Sequence, residues 1–289
     1  MDRGKGSAMK RTSGFTIIEV LVVVGIVAVL MGLLFPAVGM VQKSGRASAS
    51  QSNLRQWATG TMGFLNINRE QLPWEGLKDA NDMPTNLAER RFWANAIPPM
   101  VGQRPYREIV DQCFAESVNV PMPEDGTIFC DPAAVPEGDA PYAYGQPGAN
   151  GWRRQFFFNY VPNSQLNNTY LAENGFAEYT PDKAMRLAQI PRADATILMV
   201  EMRASKRELR SDDPFYDKDL KRHRCDWKRF AGRHFDGGHL AFVDGHVAHA
   251  RNADVITNIQ GTQDPSQPEG DWNHPEMIWD PQGPALDEN

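Results

Sequence analysis

The feature that most constrains this chain is an uncharged apolar run near its N-terminus. Residues 20–38 are nineteen positions without an ionisable group. At about 1.5 Å rise per residue, a helix over residues 15–38 is long enough for a hydrocarbon core of roughly 30 Å. A secretory signal peptide has a shorter apolar core with a small-residue cleavage site after it, whereas here a polar leader precedes the run. We therefore predict a membrane-spanning helix that continues to about residue 42.

The residues on the N-terminal side of the run indicate its orientation. Four basic residues precede it: Arg3, Lys5, Lys10 and Arg11. Basic residues favour the cytoplasmic side of a membrane span, so we predict a single pass with the N-terminus in the cytoplasm. Met1 and Met9 are both candidate start residues.

The junction before the run resembles the leader of type IV prepilins. Gly14 and Phe15 stand where, in that family, a prepilin peptidase cuts after the glycine and N-methylates the new first residue. Glu19 falls where pilins and pseudopilins carry an intramembrane glutamate, and Pro36 where many carry a helix-kinking proline. The alternative is an ordinary N-terminal anchor helix that contains one acidic residue without a role in assembly.

This resemblance implies a set of partners and a location. The partners would be prepilin peptidase, other pilin or pseudopilin subunits, and the assembly motor and platform proteins. The protein would sit in the inner membrane with its head in the periplasm, or reach an extracytoplasmic filament. A carboxylate at membrane depth costs several kcal/mol, and the resemblance implies that Glu19 pairs with the freed amino group of Phe15 on a neighbouring subunit. Such a pair would offset both desolvation costs and set the axial register.

Composition limits what the rest of the chain can be. The 289 residues hold this anchor plus one domain of about 240 residues. The net charge is −6, and loss of a leader with four basic residues and one acidic residue would bring it to −9. That charge argues against a nucleic-acid partner. Of the three cysteines, Cys113 and Cys130 are a candidate disulfide pair in an oxidising compartment, and Cys225 is left over.

The pattern beyond the span predicts an α+β fold. Apolar residues return at helical spacing, so one long helix is expected over residues 15–67. Short helices are expected over residues 86–97 and 106–117, and core strands over residues 156–161 and 196–200. We predict a pilin-like architecture in which the long helix packs on an antiparallel β-sheet head with large loops.

Four domains follow from this pattern. They are a leader (1–14), the long helix (15–67), a periplasmic α+β head (68–251) and a loop-rich C-terminal tail (252–289). Within the head, residues 203–233 are a charged excursion that favours a solvated loop, with a polyanion-binding patch as the alternative.

A hairpin is predicted near the end of the head. Asp244-Gly245 lies between two β-like runs, and this dipeptide favours a two-residue type I′ turn, which needs positive φ at both positions. That register places His239 and His246 on one face and His249 on the other. The expected partners are Val243 with His246, Phe242 with Val247, Ala241 with Ala248, and Leu240 with His249.

The hairpin sequence resembles a second family feature. His234, separated by nine residues from Asp244-Gly245, is similar to the prepilin-type processing-associated H-x9-DG domain, abundant in Planctomycetes-type bacteria. In that family the domain follows a prepilin helix, as here. The resemblance extends to Pro36-Ala37, residues 53–56, Pro73 and residues 196–201.

Histidines and acids around the hairpin raise the question of a metal site. The predicted register separates the histidines, and Asp244 is explained by turn chemistry, so a structural hairpin without a cofactor is favoured. Glu201, at the end of its strand, is expected to pair with His234. The alternatives are a Ca²⁺ or transition-metal site built from His234 or Asp236 with loop ligands, and a hydrolytic site.

Two classes of function remain. The sequence has no Walker loop, nucleophile elbow, Cys-x-x-Cys pair or His-Glu-x-x-His helix, so an enzyme is not expected. The favoured class is a structural subunit of a type IV pilin-like or type II secretion pseudopilin-like filament. The other is a membrane-tethered binding module that does not polymerise.

Overall fold

The structure, a computed structural model, describes most of the chain. The described residues are 16–77, 87–116, 118, 120–135, 147–148, 151–152, 157–175, 178–217, 223–268 and 272–283. The predicted processing residues, Gly14 and Phe15, lie outside them. The chain divides into two compact units, Met1–Gly45 and Arg46–Asn289, and the division falls inside the predicted 15–67 helix.

Helix α1, Ile17–Ile67, is the long N-terminal helix. It runs through Pro36 without interruption, so the proline does not melt a turn, although it removes one helical N–H. In the first unit the apolar side chains of α1 are exposed. This part of the helix is long and apolar enough to cross a membrane.

The part of α1 in the second unit is a core helix. Its buried side chains follow helical spacing, among them Leu54, Trp57, Ala58, Phe64 and Leu65. The indole N–H of Trp57 donates to the carbonyl of Ile128 (2.6 Å). Gly60 allows close approach of the chain, because a Cβ there would lie 2.6 Å from Cγ2 of Ile97. Burial of this stripe is what sequence periodicity predicted.

A four-stranded antiparallel sheet forms the centre of the second unit. Its strands are β3 (Tyr160–Pro162), β4 (Ile197–Glu201), β5 (Gly237–Phe242) and β6 (Val247–Arg251), in that order across the sheet. A separate pair, β1 (Pro147–Gly148) and β2 (Gly151–Trp152), is antiparallel as well. The α+β pilin-like architecture is thus confirmed. The strand predicted over residues 156–161 begins later, although Phe157 and Phe158 are buried, and Phe156 lies outside the described residues.

Short helices complete the unit. They are α2 (Trp93–Ala96), α3 (Tyr106–Glu116), α4 (Asn168–Asn174) and α5 (Asn252–Val255). The helix predicted over residues 86–97 is reduced to α2, because residues 87–92 form turns and a bridge between Phe92 and Trp74 instead. Pro98 then starts a 3₁₀ turn, Pro98–Val101. Asn86, its predicted cap, lies outside the described residues.

The turn between β5 and β6 has three residues, 243–245, between the hydrogen-bonded Phe242 and His246, which corrects the predicted two-residue turn. The amide of Gly245 donates to the carbonyl of Phe242 (2.9 Å), and the amide of Phe242 donates to the carbonyl of His246 (3.0 Å). Gly245 has a φ of +96°, whereas Asp244 does not have positive φ. This is a type I turn followed by a glycine bulge. The observed partners are His239 with His249, Leu240 with Ala248 and Ala241 with Val247.

The cysteines are not bridged, so the candidate Cys113–Cys130 disulfide is wrong. All three thiols are free, and Cys130 and Cys225 are buried. Burial raises the pKa of the Cys130 and Cys225 thiols, because the thiolate would lose its hydration.

Residues 203–233 are not simply a solvated loop, contrary to prediction. Arg203, Phe215 and Trp227 within this stretch are each at most 1% exposed. The C-terminal Trp272 stacks on Trp227 with ring centroids 5.0 Å apart, and Trp279 meets the same ring edge-on. Aromatic anchors therefore hold part of this polar stretch in the core, which its high charge content did not indicate.

Candidate functional site

A buried polar cluster lies between α1 and the sheet, and it begins at Glu201. This residue ends β4 and is fully buried. The antiparallel register puts it beside β5, where Nδ1 of His239 lies 2.7 Å from its Oε1. The backbone N–H of His239 donates to its Oε2 (3.0 Å). Glu201 therefore has two donors from one residue of the neighbouring strand.

Asp131 brings a second carboxylate into the cluster from the loop before β1. Its Oδ2 lies 2.8 Å from Nε2 of His234 and accepts from Nε of Arg233 (2.6 Å). The backbone N–H of Ala133 donates to its Oδ1 (2.7 Å). Burial would raise the pKa of Asp131, but Arg233 and His234 hold it well below its usual range. Asp131 is therefore a buried carboxylate.

Ser50 connects helix α1 to both carboxylates. Its Oγ lies 3.0 Å from Oδ2 of Asp131 and within hydrogen-bonding distance of Oε1 of Glu201. It also lies 2.8 Å from the hydroxyl of Tyr160 on β3. Burial and the two nearby carboxylates raise the pKa of Tyr160, so the phenol stays neutral. One serine thus joins α1 to the loop and to two strands.

Arg233 supplies the permanent positive charge of the cluster. Besides Asp131, its guanidinium contacts both carboxylate oxygens of Glu208 (2.6 and 2.8 Å) and donates to the carbonyl of Met202 (2.6 Å). The Arg233 side chain is 5% exposed. Burial lowers the pKa of Arg233, but the surrounding carboxylates outweigh that effect and raise it. It remains fully charged.

The structure places the predicted hairpin residues differently from the sequence-based hypothesis. His234 is in the cluster, but its Nε2 is 3.9 Å from Glu201 and bonds Asp131 instead. Asp236, the predicted metal candidate beside it, is exposed with a φ of +60°. Asp244 lies in the turn, where its Oδ1 accepts from the backbone N–H of His246 (3.0 Å).

His249 shares a face with His239, contrary to the predicted register. Their rings are 5.5 Å apart, and Nε2 of His249 donates to the carbonyl of His234 (2.7 Å). Three residues of the cluster, Glu201, His234 and His239, each offer one metal-ligating atom, and these atoms lie within 4.8 Å of one another. The one-residue error in register concerned only His249, which pairs directly with His239.

The cluster also contains residues that sequence reasoning missed. Sequence reasoning missed them because their surroundings give no periodic apolar signal. Ser50 lies among small polar residues, and Asp131 and Arg233 lie in stretches without regular periodicity. The available signal for Asp131 was the apolar island of residues 128–130 inside a turn-rich region, because such an island indicates a buried segment.

At the other end of the chain, Glu19 has a local partner that sequence reasoning also missed. The backbone N–H and hydroxyl of Thr16 donate to its Oε2 (2.8 and 2.9 Å). The N–H of Glu19 donates back to Oγ1 of Thr16 (3.3 Å). This reciprocal pair is a capping box, which satisfies N–H groups at the start of a helix.

The comparison with known families concerns this N-terminal segment. The family described as the prokaryotic N-terminal methylation motif matches residues 9–35, a range that contains Gly14, Phe15 and Glu19. The match supports a prepilin-like protein that is a substrate of prepilin peptidase. No curated protein and no solved structure matches the chain. The resemblance of the hairpin to the H-x9-DG domain stays a prediction.

Proposed function

We propose that this protein is a structural subunit of a type IV pilin-like or type II secretion pseudopilin-like filament. Prepilin peptidase cuts it after Gly14 and methylates Phe15. It is held in the inner membrane with its N-terminus cytoplasmic until an assembly motor and platform extract it. The observation that carries this proposal is the methylation-motif match over residues 9–35 at the start of a continuous, membrane-length helix.

The exposed part of α1 supports assembly through this helix. Its apolar side chains are exposed, and those of Leu21, Leu30 and Phe35 are 64%, 61% and 74% exposed. Such a surface is stable in lipid or against other apolar helices, and not in water. Gly25 and Gly32 are seven residues apart, and nothing lies within 4 Å of a Cβ built at either position. A neighbouring backbone can therefore approach the helix closely at both glycines.

The buried cluster supports a structural role for the second unit. Asp131 and Glu201 are fully buried, and His234 and His239 are 2% and 5% exposed. A substrate has no direct access to groups buried to this extent. The cluster instead joins α1, the sheet and the loop that carries Asp131.

A membrane-tethered binding module remains the second candidate. It was suggested by the length and charge of residues 203–233, which suit a recognition surface. The burial of Arg203 and Trp227 in that stretch assigns part of it to the core and weakens this argument.

Cysteine crosslinking separates the two candidates. In a Cys113→Ser background, Val22→Cys or Val29→Cys is introduced into the exposed apolar part of α1, and cells are treated with a membrane-permeant oxidant. A filament subunit is expected to give crosslinked dimers and higher ladders, because neighbouring helices lie about 8–10 Å apart. Ser266→Cys, exposed in the second unit, is the matched control. Monomers at both helix positions would favour the tethered module.

A further inference from the structure

The charges of the buried cluster do not balance. Asp131, Glu201 and Glu208 supply three carboxylates whose side chains are 0%, 0% and 9% exposed. In the part of the chain that the structure describes, their contacts with the permanent cation Arg233 supply one positive charge. For the other two negative charges, the described contacts are with the imidazoles of His234 and His239 (2.8 and 2.7 Å), which are titratable groups and common metal ligands.

The protons of the cluster do not balance either. The Ser50 hydroxyl has one proton to donate, yet carboxylate oxygens of Asp131 and Glu201 both lie within hydrogen-bonding distance of its oxygen. One of these two contacts therefore has no proton from Ser50. A cation bound at the point where the two carboxylates meet would stabilise both the excess negative charge and the contact without a proton.

We propose that Glu201, His234 and His239 bind one divalent transition-metal ion of the zinc type. A single 2+ ion cancels the two remaining negative charges.

The chemistry of the ligand set selects the ion. Two imidazoles and one carboxylate are a common donor set for zinc. Calcium and magnesium prefer sites built from oxygen ligands. The ligand atoms of a tetrahedral zinc site lie roughly 3.4 Å apart for bonds of about 2.1 Å. The observed atoms lie within 4.8 Å of one another, and Nδ1 of His239 is only 2.7 Å from Oε1 of Glu201, so side-chain rotations that even out these separations would complete the site.

The position of the site gives it a structural role. Ser50 of α1 contacts the Glu201 carboxylate, and such outer partners orient metal ligands. His239 lies on β5, and His234 precedes that strand. The ion would therefore connect the buried part of α1 to the hairpin. Metal binding to the folded state alone stabilises that state.

Metal titration of the full chain in detergent tests this proposal. The protein is stripped with a chelator and titrated with Zn²⁺ or, as a spectroscopic probe, Co²⁺. We expect about one ion per chain, visible Co²⁺ absorption and a higher melting temperature with Zn²⁺. His239→Gln is expected to weaken binding by more than about 100-fold and Ser50→Ala by about 10- to 100-fold. His246→Gln removes a histidine from the exposed turn and is expected to leave binding unchanged.

Three outcomes would overturn the proposal. The first is an unchanged melting temperature with no Co²⁺ absorption in the wild-type chain. The second is wild-type affinity in folded His239→Gln. The third is loss of binding in His246→Gln, which would indicate an adventitious surface ion only. Because the wild-type absorption and melting measurements need no variant, a His239→Gln chain that fails to fold leaves the test intact.

Discussion

Replacing Arg233 by methionine is expected to lower the free energy of unfolding of the second unit by about 3–5 kcal/mol. The substitution keeps most of the side-chain volume but removes the permanent cation of the cluster. Asp131 and Glu208 would each lose a close ion pair, at 2.6 Å in both cases. Removing one partner of a buried pair costs more than the pair itself contributes, because the remaining charges stay buried without compensation.

The measurement is equilibrium urea unfolding of the full chain in detergent, followed by tryptophan fluorescence with chelator present. Trp57 and Trp227 are both buried in the second unit and report its unfolding. Arg210→Met is the matched control, because Arg210 pairs with Asp212 on the surface with 87% of its side chain exposed. We expect the control to resemble the wild type. Equal midpoints for the two variants would show that the cluster does not hold the unit together.

Replacing Glu19 by valine is expected to leave the chain inserted and cleaved but to reduce its assembly at least about tenfold. The proposed partner of Glu19 is the amino group of Phe15 on a neighbouring subunit. Loss of the carboxylate leaves that amine unpaired in an apolar surrounding, which lowers the free energy of association between subunits. Each 1.4 kcal/mol of association free energy lost lowers the association constant tenfold. Assembly is measured as the ratio of sedimentable filaments or complexes to membrane-bound subunit.

The capping box offers a second explanation for Glu19, and two further variants separate them. Glu19→Gln keeps an acceptor for the N–H of Thr16 but removes the charge. Thr16→Val removes the hydroxyl partner and keeps the charge. If the charge pair drives assembly, Glu19→Gln is expected to assemble as poorly as Glu19→Val. Thr16→Val is then expected to assemble normally. Normal assembly of Glu19→Gln would contradict the charge pair and leave only the cap.

The long helix and the class of fold were accessible from the sequence because they depend on local composition. An uncharged run of nineteen residues followed by a stripe of helical spacing leaves few alternatives to α1. The strand β4 was visible in the same way, since residues 196–200 are apolar or β-branched. The start of the helix predicted over residues 86–97 was not accessible, because Phe92 pairs with Trp74 in a bridge that joins two separate segments.

The register of the hairpin was not accessible, because Asp-Gly fits two turn geometries. Tertiary hydrogen bonds accompany the observed one: the N–H of Val243 donates to the carbonyl of Thr196 (2.9 Å), and that of Asp244 to the carbonyl of Ala193 (3.1 Å). These contacts join the turn to the segment that leads into β4. The turn preference of the Asp-Gly dipeptide alone does not predict these contacts.

Most of the buried cluster could not be predicted from the sequence, because it too depends on contacts between distant segments. Ser50 and Asp131 are 81 residues apart, and Ser50 and Glu201 are 151 residues apart. Small polar residues at such separations give no periodic signal. The sequence predicted a pair between His234 and Glu201, whereas the structure pairs His234 with Asp131 and Glu201 with His239.

The central claim is that the chain is a prepilin-like subunit trimmed at its cytoplasmic end, and the mature N-terminus tests it most directly. The chain is produced in cells with an active prepilin peptidase, purified from membranes and analysed by mass spectrometry. The expected result is an N-terminal peptide that begins at N-methylated Phe15. An intact chain that still begins at Met1 or Met9 in those cells would contradict the account.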